Sequence, residues 1–228
     1  MNIIPIKAVF FDCDGVIADT MGDHAEAWVR AFRDHGIEIN GKWVFEYEGA
    51  PFRDVAREFF RRCGVQPDGA LLETVALDKE RHFGKMHCPS IYSGILPILG
   101  LLRKRGIPFG LVTGASRLAI ARTLPNDVLG QFSVVVTGDD VERGKPHPDP
   151  YLKAAQLLSI NPQECIVIEN GVFGIRSAKA AGMRCIALQT TLDATYLMDA
   201  DIVLKGHVEL ELTFKNLFSI PPPISPSW

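Results

Sequence analysis

The sequence predicts an α/β fold: a Rossmann-like, doubly wound parallel sheet with an inserted helical-bundle cap domain. Three observations predict it. Short apolar runs recur at 8–11, 109–113, 133–137, 165–168, 184–188 and 201–204, as the strands of a parallel sheet read. Most of the gaps between them carry helix-like patterns, the rhythm of β-α-β units. The first long gap, from about 20 to 90, breaks that rhythm with several amphipathic helical stretches and no strand pattern. The expected organisation is a catalytic core over 1–18 and 91–220, a helical cap over 19–90, and a proline-rich tail over 221–228 with no regular structure.

The first strand runs into Asp12-Cys13-Asp14-Gly15. Two carboxylates one residue apart then sit at the carboxyl edge of a sheet, where open α/β sheets keep their ligand crevices. A carboxylate is a weak nucleophile, useful against phosphate once a cation screens the incoming charge and a second acid protonates the leaving oxygen. Asp12 and Asp14 can divide those tasks; the alternative is a simple turn. In the cap stretch, Trp28, Val29 and Phe32, then Val55, Phe59 and Phe60, then Leu71, Leu72, Val75 and Leu77 have the spacing of packed helix faces. The joints to the core, near 15–19 and 88–94, are short and turn-rich and suit a hinge.

Helices are expected over 94–105, 116–124, 148–158 and 172–181, with Gly106 and Gly182 at helix C-termini. The second strand ends in Thr113-Gly114-Ala115-Ser116, a hydroxyl and approachable amides that suit a phosphate or merely cap a helix. The third is followed by Gly144-Lys145-Pro146-His147-Pro148, where two prolines stiffen the loop carrying Lys145, as a lysine with a target requires; a solvated lysine is the other reading. The fourth ends in Glu169-Asn170-Gly171, hard oxygens of the kind magnesium takes.

A net charge of −3 over 228 residues gives no basic field, so a nucleic-acid partner is not expected. No run of about 18 uncharged apolar residues and no signal-peptide pattern occurs, so neither membrane nor export is expected. Cys13, Cys63, Cys88, Cys165 and Cys185 form no C-x-x-C pair, which points to reduced thiols and a cytoplasmic location. Cys165 and Cys185 read as core residues, and Cys13 has no activating base in view.

Taken together, Asp12-Cys13-Asp14-Gly15-Val16, Thr113-Gly114, Lys145 within Gly-Lys-Pro-His-Pro-Asp, and Glu169-Asn170 followed by Gly171-Val172-Phe173-Gly174 resemble, in order and over nearly the whole chain, the four motifs of the haloacid dehalogenase superfamily. The resemblance is to its phosphatases and mutases with a helical cap, β-phosphoglucomutase-like in type. It implies that Asp12 forms an aspartyl-phosphate, that Asp14 protonates the leaving oxygen and then activates the acceptor, and that Thr113 and Lys145, with Gly114 and Ala115, hold the phosphoryl group. It implies Mg2+ held by the Asp12 carboxylate, the Asp14 carbonyl and the Glu169-Asn170 corner. Relatives commonly carry an aspartate where this chain has Asn170, a poorer ligand, so Asn170→Asp is expected to tighten magnesium binding; the alternative is that Asn170-Gly171 only makes a turn and Glu169 alone supplies the side-chain metal contact.

His24 and Trp28 resemble a His-x-x-x-Trp stretch whose histidine couples cap closure to the catalytic acid. Glu48 stands where the related mutases carry a lysine, and Pro51-Phe52 where they carry Ser-Arg, which weakens the sugar-phosphate mutase reading. Arg53 and Lys79 are candidate substrate contacts, although Arg53, Arg57 and Arg61 also have the spacing of a solvated helix face. The expected function is a magnesium-dependent phosphatase of a small phosphorylated metabolite, acting as a monomer or weak homo-oligomer. A mutase sharing the same intermediate is the alternative, and a non-catalytic phosphate-binding protein is a third reading.

Overall fold

The structure is a computed structural model that describes residues 5–86 and 90–218. The tail at 221–228 and Cys88, in the second expected joint, lie outside the described residues. In chain order the elements are β1 (Ala8–Phe11), α1 (Met21–Arg33), α2 (Lys42–Glu46), α3 (Phe52–Arg62), α4 (Gly69–Met86), α5 (Ile95–Lys104), β2 (Phe109–Val112), α6 (Arg117–Thr123), α7 (Asn126–Leu129), β3 (Val134–Val136), α8 (Asp149–Leu158), β4 (Cys165–Glu169), α9 (Val172–Ala180), β5 (Arg184–Leu188), β6 (Ile202–Leu204) and α10 (His207–Leu217).

The strands form one sheet in the order β3-β2-β1-β4-β5-β6, every neighbouring pair parallel. The period of two in β1 explains why its sequence is apolar throughout. Val9 and Phe11 face a core shared with α5 and α10, including Ile98, Leu102 and Phe214, whereas Ala8 and Phe10 face one shared with α8 and α9, including Tyr151 and Ile175. Chain order reverses at β1, which pairs β2 on one side and β4 on the other. That switch point opens a crevice beyond the strand ends.

The helices α1 to α4 build a separate apolar cluster around Trp28, Phe32, Phe59 and Phe60. Phe32 and Phe60 pack with ring centroids 4.7 Å apart, and Trp28 meets Phe59 edge-on at 5.7 Å. Leu77 corrects the sequence reading: it is 67% exposed. The inward stripe of α4 is Val75, Ala76, Lys79 and Phe83, and at 100° per residue a side chain two positions after Val75 projects almost opposite to it. Where residues 16–19 leave the sheet they run beside 90–92: Asp19 donates its N–H to Ser90 O (2.9 Å) and Tyr92 to Ile17 O (3.0 Å). Gly106 and Gly182 both adopt positive φ, +67° and +74°, as helix-terminating glycines do.

Candidate active site

Each sheet-borne site residue sits one step beyond, or at the tip of, a central strand. Asp12 extends β1, its N–H donating to Ile168 O at 3.0 Å, and its carboxylate is buried at the crevice floor. Lys145 comes in from the loop before α8 and is 1% exposed; its ammonium donates to Asp12 Oδ1 at 2.5 Å and Glu169 Oε1 at 2.6 Å. The solvated-lysine reading is therefore excluded. Burial pushes the Asp12 carboxyl up, Lys145 opposes that, and Glu169 and Asp14 add to it. Burial alone would lower the Lys145 ammonium, but the two carboxylates raise it, so it stays charged.

Glu169, at the tip of β4, has all four acceptor positions engaged. Oε1 accepts from Lys145 and from the Tyr151 hydroxyl (2.8 Å), and Oε2 from the N–H groups of Asn170 (3.0 Å) and Gly171 (3.2 Å). Expected as a metal ligand, Glu169 serves in this arrangement as the anchor that orients Lys145. Gly174 makes room for it: a Cβ there would fall 1.7 Å from Glu169 Oε1.

Asp14 turns toward α1. Thr20 Oγ1 donates to its Oδ1 at 2.6 Å, and His24 Nε2 lies 3.3 Å from the same oxygen, with the imidazole stacked on Phe83 at 4.1 Å. Burial would raise the Asp14 carboxyl, but His24, the hydrogen bonds from His24 and Thr20, and the field of Lys79 carry it down to about 2. Burial and Lys79 lower the His24 imidazole, against the pull of Asp14. Trp28, one turn on, packs into the helical cluster.

Thr113 is buried after β2, its Oγ1 accepting from the Ala115 N–H at 3.1 Å, while Ser116 caps α6 by accepting from Ala119 N–H at 3.2 Å. The hydroxyl and the cap, left open in the sequence, thus fall to different residues. A cavity of about 200 Å³ joins Asp12, Asp14, His24, Glu48, Lys79, Thr113, Gly114 and Ala115. Lys79 lies within it, 5% exposed, with Nζ donating to Glu80 at 2.7 Å. Arg53 does not line this cavity but lies on the rim of the adjoining one, of about 460 Å³, which also reaches Thr113, Gly114 and Lys145; its side chain is 65% exposed and paired with Glu73 at 2.6 Å. Arg57 and Arg61 pair with Asp54 and Glu58 on the same exposed face.

Sequence reasoning missed Tyr151, Thr20, Thr191 and the part played by Glu48. Tyr151 carried a usable signal, closing the proline-stiffened loop, whereas Thr191 carried none. Glu48 reaches from the α2–α3 connection to accept from Asn170 Nδ2 at 2.6 Å and from Thr191 Oγ1 at 3.1 Å. Burial lifts its carboxyl well above the ordinary glutamate range, and Asp12 and Glu169 lift it further. Cys13, buried between the two aspartates, is likewise pushed up by burial and by both of them, which is the opposite of an activated thiol.

Comparison with known proteins agrees with this geometry. The family description "haloacid dehalogenase-like hydrolase" matches residues 6–182. This chain belongs to the haloacid dehalogenase-like hydrolases. Among curated members it is 32% identical over 206 residues to validoxylamine A 7'-phosphate phosphatase of Streptomyces hygroscopicus, covering 90% of this chain and 95% of that protein. It is 32% identical over 220 residues to hexitol phosphatase A of Escherichia coli, covering 91% and 94%. Among solved structures, a candidate beta-phosphoglucomutase from Bacteroides vulgatus superposes with a TM-score of 0.85 at 29% identity, covering 96% of this chain and 91% of that one. In this haloacid dehalogenase-like hydrolase no helix among the described residues is long and apolar enough to cross a membrane.

The donor set fits a hard divalent cation. Asn170 Oδ1 is buried with no hydrogen-bond partner, an oxygen left over in the midst of carboxylates. Among the described residues no three His, Cys, Asp or Glu side chains are already gathered into a cage, and the Lys145 ammonium lies between Asp12 and Glu169.

Proposed function

We propose that this hydrolase is a magnesium-dependent phosphatase of a small phosphorylated metabolite, working through an aspartyl-phosphate on Asp12. The observation that carries the reading is the pairing of two unlike carboxylates in one cavity. Asp12 is buried and tethered to Lys145, and Asp14 is held apart from it by Thr20 and His24. Asp12 attacks phosphorus while the bond to the leaving oxygen breaks and Asp14 donates its proton to that oxygen. The approach of an anionic phosphate raises the proton affinity of Asp14, as any neighbouring like charge does. In the second step Asp14 takes a proton from the attacking water, the Asp12–phosphorus bond breaks, and phosphate leaves.

Lys145, the Thr113 hydroxyl and the backbone of Gly114 and Ala115 hold the phosphoryl oxygens. The Asp12 carboxylate, the Asp14 carbonyl and Asn170 Oδ1 are the groups offered to Mg2+, which when bound screens the repulsion between nucleophile and substrate. Residues 19–90 act as a cap over the crevice, hinged at the paired strands of chain near 15–19 and 90–94. Phosphate release from aryl phosphate, dependent on magnesium and abolished in Asp12→Asn, is the expected result; turnover surviving in Asp12→Asn would remove the mechanism.

A mutase is favoured by the fold likeness to the candidate beta-phosphoglucomutase. Against it stands Glu48, an acidic side chain on the cavity wall where a cation would be needed to hold a second phosphate, and the curated relatives include phosphatases. Phosphorus NMR with magnesium, β-glucose 1-phosphate and a trace of glucose 1,6-bisphosphate separates the two readings. Free phosphate supports the phosphatase, and glucose 6-phosphate without free phosphate would establish the mutase.

A further inference from the structure

The Glu48–Asn170 pair is unexplained by the mechanism above. Glu48 is 7% exposed, and its hydrogen-bond partners are neutral: Asn170 Nδ2 at 2.6 Å on one oxygen and Thr191 Oγ1 at 3.1 Å on the other. Asp12 and Glu169 share Lys145, but no cation pairs with Glu48 among the described residues. A buried carboxylate without a counter-charge is costly, and it calls for a positive partner. Beside it lies the one side-chain oxygen among the described residues that is buried and unpartnered, Asn170 Oδ1.

The backbone is shaped to bring these groups together. A Cβ on Gly15 would fall 1.9 Å from Asn170 Nδ2 and 3.1 Å from Glu48 Oε1. One on Gly171 would come within 3.1 Å of Glu48 O, and one on Gly49 within 3.5 Å of Lys145 Cδ. The bare Gly15 and Gly171 let the Glu48–Gly49 segment of the helical unit settle onto the loop that carries Asp12 and Asp14, and Gly49 supplies the positive φ (+81°) of its turn. An aspartate at 170 would set a second carboxyl where the amide now sits, 2.6 Å from Glu48, and the two could stay there only by sharing a proton. The amide resolves the conflict, donating through Nδ2 to Glu48 and leaving Oδ1 as a ligand.

We propose that Glu48 is a magnesium ligand delivered by the cap: the carboxylate charge absent at position 170 is supplied from position 48, so that binding the metal also latches the cap over the crevice. The inference rests on magnesium being the ion of this site, as the proposed phosphatase requires. It follows that the open form, with Glu48 withdrawn, holds the metal weakly, and that magnesium alone favours closure without substrate.

The test uses the full chain, MgCl2 and no substrate, with calorimetry for affinity and hydrogen exchange over residues 41–51 for closure. The expected wild-type result is measurable binding with magnesium-dependent protection of 41–51. Glu48→Gln, nearly isosteric, should bind magnesium at least tenfold more weakly and lose that protection. The double variant Glu48→Gln/Asn170→Asp should recover most of the affinity but not the protection, since the carboxylate has returned to the sheet. Glu48→Gln binding magnesium like wild type, or 41–51 protected equally in both variants, would overturn the proposal and leave the phosphatase reading intact. Absence of magnesium binding by the wild type would overturn both. Circular dichroism melting of each variant separates weakened binding from loss of folding.

Discussion

Lys145→Met tests whether the ammonium at the crevice floor holds the site together. The side chain is 1% exposed, and Met replaces its stem with similar volume while removing the charge shared by Asp12 and Glu169 at 2.5 and 2.6 Å. Two carboxylates would remain buried beside each other with the Tyr151 hydroxyl and two backbone N–H groups as the donors to Glu169. Removing one partner of a buried ion pair costs about 3–5 kcal/mol, chiefly because the remaining charge is stranded. For a chain of this size each kcal/mol moves Tm by about 2–4 °C, so the expected drop is on the order of 10 °C at pH 7. The sign with pH follows from the stranded carboxylates. Burial already raises the Asp12 carboxyl and Lys145 opposes that, so removing the ammonium raises it further; a group raised in this way contributes stability below its unfolded value and loses it as pH rises through the folded one. The deficit against wild type should therefore shrink between pH 7 and pH 5. Magnesium-free urea denaturation at both pH values measures it, and a variant within about 1 kcal/mol of wild type at pH 7 would refute the reasoning.

Three further outcomes are expected. Gly174→Ala would drive a methyl to within 1.7 Å of Glu169 Oε1 and displace the anchor of Lys145, lowering kcat by about 10²-fold, as loss of one transition-state donor does, and lowering Tm as well because the buried ion pair is disturbed; unchanged kcat and Tm would contradict it. Phe59→Ala would empty the centre of the aromatic cluster formed with Trp28, Phe32, Trp43 and Tyr47, destabilising by about 3–5 kcal/mol in calorimetry. Asp140 accepts from Thr137 N–H (2.8 Å), Thr137 Oγ1 (2.7 Å) and Arg117 (2.7 Å), and these hold its carboxyl below the ordinary range. Asp140→Asn should cost about 1 kcal/mol at pH 7, a contribution present above the unfolded aspartate value near about 3.9 and lost as pH falls through the folded one, so variant and wild-type urea midpoints should converge toward pH 3.

The central strands were legible because they are buried on both faces and so read as apolar runs, and the edge strands β3 and β6, half-buried or partly exposed, because they are apolar over all three residues. The reading of 133–137 overshoots β3 by one residue at each end, where Ser133 and Thr137 leave the ladder. Asp12, Thr113 and Glu169 were legible for the same reason, as polar residues that abruptly end such runs. Lys145 was legible through its flanking prolines, but its partners were not, since 24 and 133 residues of sequence separate it from Glu169 and Asp12. The helical unit was harder. Its amphipathic spacing located α1, α3 and α4, but a face assigned residue by residue drifts, and Leu77 fell on the wrong side of the stripe. Arg53 shows how little spacing says about a long charged side chain: it pairs with Glu73 at the exposed rim of the cavity that adjoins the site.

Glu48 and Asn170 are the instructive case, because each alone reads as a defect. Read singly, Asn170 is a weakened ligand and Glu48 a lost substrate contact, and the natural repair is Asn170→Asp. The docked arrangement attaches a cost to that single change in the metal-free protein. With Nδ2 bonded to Glu48 and Thr191, replacing the amide by a carboxylate removes two donors and sets like charges at 2.6 Å. Separated by 122 residues, the two departures cancel only when the helical unit is docked on the sheet. In the metal-free protein Asn170→Asp should therefore destabilise the docked arrangement and raise hydrogen exchange over residues 41–51, whereas Glu48→Gln/Asn170→Asp should not, because the glutamine amide can donate to the new aspartate. Equal exchange in the two variants would mean that the pair is incidental to how the helical unit seats.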